Sequence, residues 1–213
     1  MPSIRICIAD DHPIVREGLK LIIAKAIDLS VAAEASNGQE VFEILRKTPI
    51  DILLLDISMP IRNGIDALKQ IRTKWPKLPI LILTAHPETQ YAIRAFKLGA
   101  SGYLTKESLL KELITAIRTV LSGQRYVSST FAQQLVVNLE TDPAESLHDK
   151  LSNRELEVLR CIAEGKPLTT IAEELFLSVK TISTYRTRIL DKLNMRSNAD
   201  IIRYAIRTDL VQA

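Results

Sequence analysis

The sequence predicts an α/β fold with a parallel sheet, followed by a small all-helical domain. Between residues 4 and 122, short apolar runs alternate with amphipathic helical patterns, the order expected of strand-helix units on a parallel sheet. The apolar runs are mostly continuous rather than alternating, as strands covered on both faces require. From Leu151 onward the strand signals disappear and helical patterns follow one another closely. A chain of 213 residues holds one or two domains at the usual size of about 100 to 200 residues each.

Five strand-helix units can be placed in order. The strand candidates are residues 4–9, 29–35, 50–55, 80–83 and 102–104. The first helix starts near Pro13, where a missing N–H costs nothing, and Val15, Leu19, Ile22 and Ile23 then recur at helical spacing. Other helices begin near Gly38, Ile65, Thr89 and Ser108. The last carries an apolar stripe of Leu109, Leu113, Ile114, Ile117, Val120 and Leu121 and stops at Gly123. These units make a first domain over residues 1–123. Residues 124–149 lose the hydrophobic period after a short helix-like stretch and are expected to form a linker. Residues 150–213 form the second domain, with helices expected over 153–164, 169–176, 179–193 and 199–208.

Composition excludes several classes. With 46% hydrophobic and 25% charged residues the chain is ordinary globular protein, not collagen, coiled coil or a disordered tail. Mean hydropathy is +0.09, and no apolar run approaches the roughly 18 residues of a membrane span. No basic region followed by a long apolar stretch opens the chain, so a cytoplasmic location is expected. Cys7 and Cys161 have no Cys or His at metal-ligand spacing and are read as structural. Charge is uneven: residues 178–207 hold seven basic side chains against two acids, or +5, whereas residues 146–177 hold four against six, or −2. That late positive stripe suits either a polyanion-facing surface or a solvated helix face.

Chemistry concentrates at the strand ends. The first strand ends in Asp10-Asp11 and the third in Asp56, and the carboxyl ends of strands form the ligand crevice of such a sheet. In the flavodoxin-like order 2-1-3-4-5 those strands are neighbours, so three carboxylates converge. They repel unless a cation lies between them, and hard oxygen ligands with room for water favour Mg²⁺. Asp10 or Asp11 could instead cap the first helix, which leaves Asp56 unaccounted for. Thr84 ends the fourth strand and Lys106 follows the fifth. A carboxylate nucleophile, a metal and two donors are what phosphoryl transfer to an Asp requires. His12 adjoins the acids, but Pro13 follows it, which argues against catalysis by its ring; His86 follows Thr84 in a loop.

Asp10-Asp11, the run from Asp56 through Ser58, Pro60 and Gly64, Thr84-Ala85, and the run from Gly99 to Lys106 resemble the receiver domain of two-component response regulators across residues 4–122. The resemblance implies that Asp56 is the phosphoryl acceptor, that Asp11 binds Mg²⁺ directly and Asp10 through water, and that the Ser58 carbonyl is a further ligand. It also implies that Thr84 and Lys106 bind the phosphoryl group, and that Tyr103 and Thr84 form the conformational switch. The sequence alone leaves Tyr103 equally readable as an edge residue.

In the second domain a helix, a turn at Leu177-Ser178 and a helix from Val179 make a candidate helix-turn-helix, with Ser178 as N-cap. At about 100° per residue, Ile182, Ile189 and Leu193 share one arc, and Lys180, Ser183, Thr184, Thr187 and Arg188 face the other way. A basic, hydroxyl-rich face suits the major groove, while Arg186 lies nearer the core arc and reaches toward phosphates by extension. The segments 151–159, 162–165, 171–172 and 177–178, with Thr181 and Lys192-Leu193, resemble the LuxR-type DNA-binding domain. The whole chain is therefore similar to the NarL/FixJ class of response regulators. Pro167-Leu168-Thr169-Thr170, Ser183 and Tyr185 depart from that pattern, and the lysine usual at Ser183 is missing.

The resemblance implies a phosphorylation-controlled transcription factor that catalyses only its own phosphotransfer from a sensor histidine kinase. It uses Mg²⁺, binds double-stranded DNA through Lys180, Thr181, Ser183, Thr184, Arg186, Thr187, Arg188 and Lys192, and acts as a homodimer when phosphorylated, with no membrane partner. Two alternatives stay open: a regulator whose helical domain binds protein rather than DNA, and a small-molecule phosphatase using the same acidic site. Ile201, Ile202 and Ala205 serve equally well as a dimer seam or as core.

Overall fold

A computed structural model describes residues 3–59, 64–85, 88–128, 131–132, 147–208 and 210–211. The chain divides into two compact units, Met1–Val137 and Asn138–Ala213. Among the described residues, no helix is long and apolar enough to cross a membrane.

The first unit runs β1 (Ile4–Ala9), α1 (Pro13–Ile23), β2 (Leu29–Ala35), α2 (Gly38–Lys47), β3 (Ile52–Asp56), α3 (Gly64–Lys74), β4 (Ile80–Thr84), α4 (Glu88–Lys97), β5 (Gly102–Thr105) and α5 (Leu109–Leu121). A 3-10 turn, Lys106–Ser108, precedes α5. The strands pair in parallel in the expected order β2-β1-β3-β4-β5. Every residue of β3 and β4 is buried, which is why both read as unbroken apolar runs. Successive side chains point to opposite faces. Ile52 and Leu54 join one core cluster with Ile6, Ile8, Leu19, Leu81, Leu113 and Ile117, so Leu53 and Leu55, equally buried, fill the other face.

The first two helices start where the sequence places them, at Pro13 and Gly38. Asn37 caps α2 by accepting from Gln39 N and Glu40 N, both at 3.0 Å. Pro13 opens α1 as expected, but the N-cap is His12, with no side-chain cap bond. The reading of Asp10 or Asp11 as that cap therefore fails. A second difference lies after α5. Tyr126 falls in the expected linker but bridges to Gly102: Tyr126 N donates to Ser101 O and Tyr103 N to Tyr126 O, each at 3.1 Å. Its hydroxyl donates to Glu112 at 2.6 Å. These bonds pair backbone groups at the β5 edge that would otherwise be open.

The second unit opens with a 3-10 turn, Leu147–Lys150, followed by α6 (Asn153–Ala163), α7 (Leu168–Glu174), α8 (Val179–Leu193) and α9 (Asn198–Arg207). Capping boxes start α6 at Ser152 with Glu155 and α9 at Ser197 with Asp200. The core comprises Leu156, Leu159, Ile162, Ile171, Ile182, Ile189, Leu193, Ile201 and Ala205. Ile201 and Ala205 are fully buried within the unit, which decides for core over dimer seam at those two positions. Helix α7 stops two residues before its expected end at Phe176, whose φ of 53° is left-handed. Leu177 N then donates to Ala172 O at 2.8 Å, closing the turn.

Candidate functional site

The acidic pocket arises from register. β1 and β3 are adjacent, and β3 meets β4 with Asp56 opposite Leu83, so Thr84 stands one residue beyond the acid. Thr84 in turn pairs with Thr105, which brings Lys106 to the same edge. Carboxylate oxygens of Asp10, Asp11 and Asp56 and a ring nitrogen of His12 lie within 4.8 Å of one another. Asp10 and Asp56 are buried and Asp11 is partly exposed.

Lys106 is the counter-ion. Its Nζ lies 2.7 Å from Asp10 Oδ2 and 2.8 Å from Asp56 Oδ2. Burial pushes the Asp56 carboxyl above its ordinary range; Lys106 opposes this and Asp10 adds to it. Burial works against the charge on Lys106, but Asp56 and Asp10 outweigh it and hold its pKa raised. One ammonium thus serves two buried carboxylates, with a third beside them. Asp10 Oδ1 accepts from His12 N at 2.9 Å, and Ser58 N donates to Asp56 Oδ1 at 3.3 Å. The buried Asp11 Oδ1 accepts no hydrogen bond among the described residues, although His12 Nδ1 lies 2.9 Å away at ion-pair distance. Three clustered carboxylates that share a single ammonium fit a divalent cation that keeps several waters.

The expected site residues are accordingly brought together: Asp10, Asp11, Asp56 and Lys106 in one cluster, with Thr84, fully buried, at its strand end. Ser58 is exposed beside Asp56. Tyr103 is fully buried on β5, so its side chain faces inward rather than lying at the surface. His86 lies outside the described residues, as do residues 60–63 of the motif after Asp56. Gly64 stands in the sequence only as part of a motif, but a Cβ there would lie 1.9 Å from the Asp56 carbonyl oxygen. A glycine is what lets α3 begin against the pocket.

On the helical unit, Ser178 caps α8 by accepting from Thr181 N at 3.1 Å. Lys180, Ser183, Thr184, Thr187 and Arg188 are all exposed, opposite the buried Ile182, Ile189 and Leu193. Two of the expected contacts are engaged elsewhere. Arg186 Nε donates to Asn198 Oδ1 at 2.6 Å, tying α8 to the start of α9. Lys192 Nζ sits 2.6 Å from Glu155 Oε2 of the α6 capping box. Lys180 and Arg188 make no ion pair among the described residues.

The Glu155 pair has a testable consequence. Burial raises the Glu155 pKa, but Lys192 and the Ser152 donors prevail and hold it below its ordinary 4.5. Stability from this group is thus present above the unfolded value and lost as pH falls through the lowered, folded value. Glu155→Gln keeps the capping geometry and removes the charge. It is expected to cost roughly 1 kcal/mol at neutral pH, since Lys192 is part-exposed, and to flatten the acid loss in thermal melts. Identical melting of both proteins at all pH values would contradict this.

Residues 6–118 match the model of the response regulator receiver domain, and residues 149–205 that of the luxR family of bacterial regulatory proteins. The chain is 36% identical over 211 residues to the response regulator UvrY of Escherichia coli K12, covering 99% of this chain and 97% of that one. It is 38% identical over 216 residues to the oxygen regulatory protein NreC of Staphylococcus epidermidis, covering 98% and 99%. Among solved structures it resembles RcsB from Salmonella enterica serovar Typhimurium, bound to promoter rprA in the presence of the phosphomimetic BeF3-. That match has 28% identity and a TM-score of 0.62, covering 95% of this chain and 98% of that one. With a receiver pocket on the first unit and a luxR-family helical unit after it, the chain belongs to the NarL/FixJ class of two-component response regulators.

Proposed function

We propose that this response regulator is switched by phosphorylation of Asp56 and, in that state, binds double-stranded DNA through α8. The observation that carries the proposal is the pocket: three carboxylates drawn together at the strand ends, with Lys106 bridging Asp10 and Asp56. Asp56 Oδ is the nucleophile. It displaces the leaving group of a phosphohistidine or an acyl phosphate, forming an acyl phosphate on the protein. Lys106 then pairs with the added phosphoryl oxygens, and the Thr84 hydroxyl donates to them after turning toward the pocket. Asp10, Asp11, Asp56 and the Ser58 carbonyl would hold Mg²⁺, which would supply neutralisation of the charge developing on the phosphoryl oxygens. The buried Tyr103 senses the movement of Thr84 from the adjoining strand.

The chain performs this one transfer on itself and is otherwise a regulator. The donor is a sensor histidine kinase. Phosphorylation shifts a receiver equilibrium that favours homodimers or frees the DNA-binding unit, in the cytoplasm and with no membrane partner. The two units are joined within residues 124–149, and Tyr126 stays on the sheet. The RcsB structure bound to promoter DNA supports a nucleic-acid partner rather than a protein one for the helical unit.

Electrostatics provides a test. Lys180 and Arg188, exposed on the outer face of α8, are assigned to phosphates or base edges. Lys180→Ala and Arg188→Ala are each expected to reduce the slope of log affinity against log salt by about one. Lys192→Ala, whose ammonium is held by Glu155, is expected to lower stability and leave that slope unchanged. Equal loss of slope for Lys192→Ala, measured by fluorescence anisotropy on one duplex, would show that Lys192 contacts DNA itself.

A further inference from the structure

We infer that Thr184 and Thr187 read thymine, by packing their methyl groups against the thymine C5-methyl in the major groove. The inference rests on the proposed DNA binding by α8 and goes beyond it, to the base that these positions select. The starting point is what each side chain has left to offer. Thr184 Oγ1 donates to Lys180 O at 3.0 Å, and Thr187 Oγ1 donates to Ser183 O at 3.1 Å. Both hydroxyl hydrogens are therefore committed to the backbone of the preceding turn. The third threonine of the row, Thr181, has its hydroxyl paired with Ser178 Oγ at 2.8 Å.

With their hydrogens engaged, Thr184 and Thr187 present a methyl group and an acceptor oxygen to solvent. Both are exposed, and three residues apart they stand side by side on one helix face. Among the groups on base-pair edges in the major groove, only the thymine methyl is apolar, and threonine methyls are among its recognised contacts. Guanine, by contrast, is read by a forked or charged donor. The nearest cations, Lys180 and Arg188, flank the threonines and make no ion pair among the described residues. They therefore remain for phosphate or for a neighbouring base. Ser183, exposed beside them, adds a hydroxyl and no charged donor to the centre of the face. The result is a methyl-bearing centre with cations on either side, which favours A·T pairs under Thr184 and Thr187.

Methyl deletion on either partner separates this from hydroxyl recognition. The full chain, treated with acetyl phosphate and Mg²⁺, is used to select duplexes from a random-sequence pool. Each thymine of the recovered half-site is then replaced singly by deoxyuridine, which removes only the C5-methyl. At two thymines the replacement is expected to weaken binding about fourfold, the value of one buried methyl-sized group. Thr184→Ser keeps the hydroxyl and its backbone bond but loses the methyl; it should abolish the thymine-over-uracil preference at one of these positions. Thr187→Ser should do so at the other. Thr184→Val keeps a methyl in that place and should retain the preference. A half-site without thymine, indifference to uracil at every position, or a full preference surviving in both serine variants would overturn the inference while leaving DNA binding intact. Failure to retain any duplex, at low salt, would instead overturn the DNA-binding reading on which it rests.

Discussion

Incubated with Mg²⁺ and acetyl phosphate, the wild-type chain is expected to gain one phosphoryl group by intact mass, and Asp56→Ala none. The expectation follows from the asymmetry of the pocket. Asp10 and Asp56 share Lys106, but only Asp56 ends β3 beside the strand that carries Thr84. Asp11, partly exposed and with Oδ1 2.9 Å from His12 Nδ1 rather than paired with Lys106, is placed for a cation rather than for attack. The variant should fold, because removing one of three crowded carboxylates relieves repulsion, although Lys106 loses one of its two partners. An adduct of equal yield in Asp56→Ala would place the acceptor elsewhere and end the assignment. Omitting Mg²⁺, or adding a chelator, should suppress the wild-type adduct as well.

Gly64→Ala should have the second-largest effect, and for a purely steric reason. A Cβ at this position would lie 1.9 Å from the Asp56 carbonyl oxygen and 2.9 Å from Ile57 Cα. Both are backbone atoms, so no side-chain rotation relieves the clash. Gly64 N also donates to Ile57 O at 2.9 Å, which fixes the start of α3 against the end of β3. The methyl must either push α3 away or displace the acceptor strand. Overpacking of a tight site costs roughly 1–3 kcal/mol, and here the displaced group is the proposed phosphoryl acceptor. The expected result is a lower thermal midpoint together with a loss of acetyl phosphate labelling. Unchanged melting and labelling would mean that the contact between Gly64 and Asp56 does not hold in solution.

Much of this is legible in the sequence, where the signal is local. The strands β3 and β4 read as continuous apolar runs because both faces are covered, and the acids were found because a strand's end fixes where its next residue lies. Ser178 declared the start of α8 through its hydroxyl. What escaped were interactions between distant positions and conformations that no residue type announces. The pairing of Lys192 with Glu155 left no signal, because Lys192 is read only as one basic side chain of its helix and Glu155 lies 37 residues earlier in the chain. The bond from Arg186 was hidden in the same way, since Asn198 belongs to the next helix. Tyr126 and Val127 make only a two-residue apolar step between Arg125 and Ser128, so the bridge to Gly102 left no trace in the period. Phe176 adopts a left-handed conformation that glycine or asparagine would have signalled and a phenylalanine does not. The clash at Gly64 depends on how closely α3 approaches β3, a distance that no sequence pattern carries.

The central claim is that chemistry at Asp56 governs DNA binding by α8 in the same chain. The most direct test measures the affinity of the full chain for a duplex selected by it, at one fixed salt concentration, with and without prior treatment by acetyl phosphate and Mg²⁺. Asp56→Ala is carried through both arms. Treatment should tighten binding by the wild-type chain and leave Asp56→Ala unchanged. Equal affinities for treated and untreated wild type, with the phosphoryl group shown to be present by mass, would contradict the claim, because the pocket would then be chemically active and without control over the DNA-binding helix.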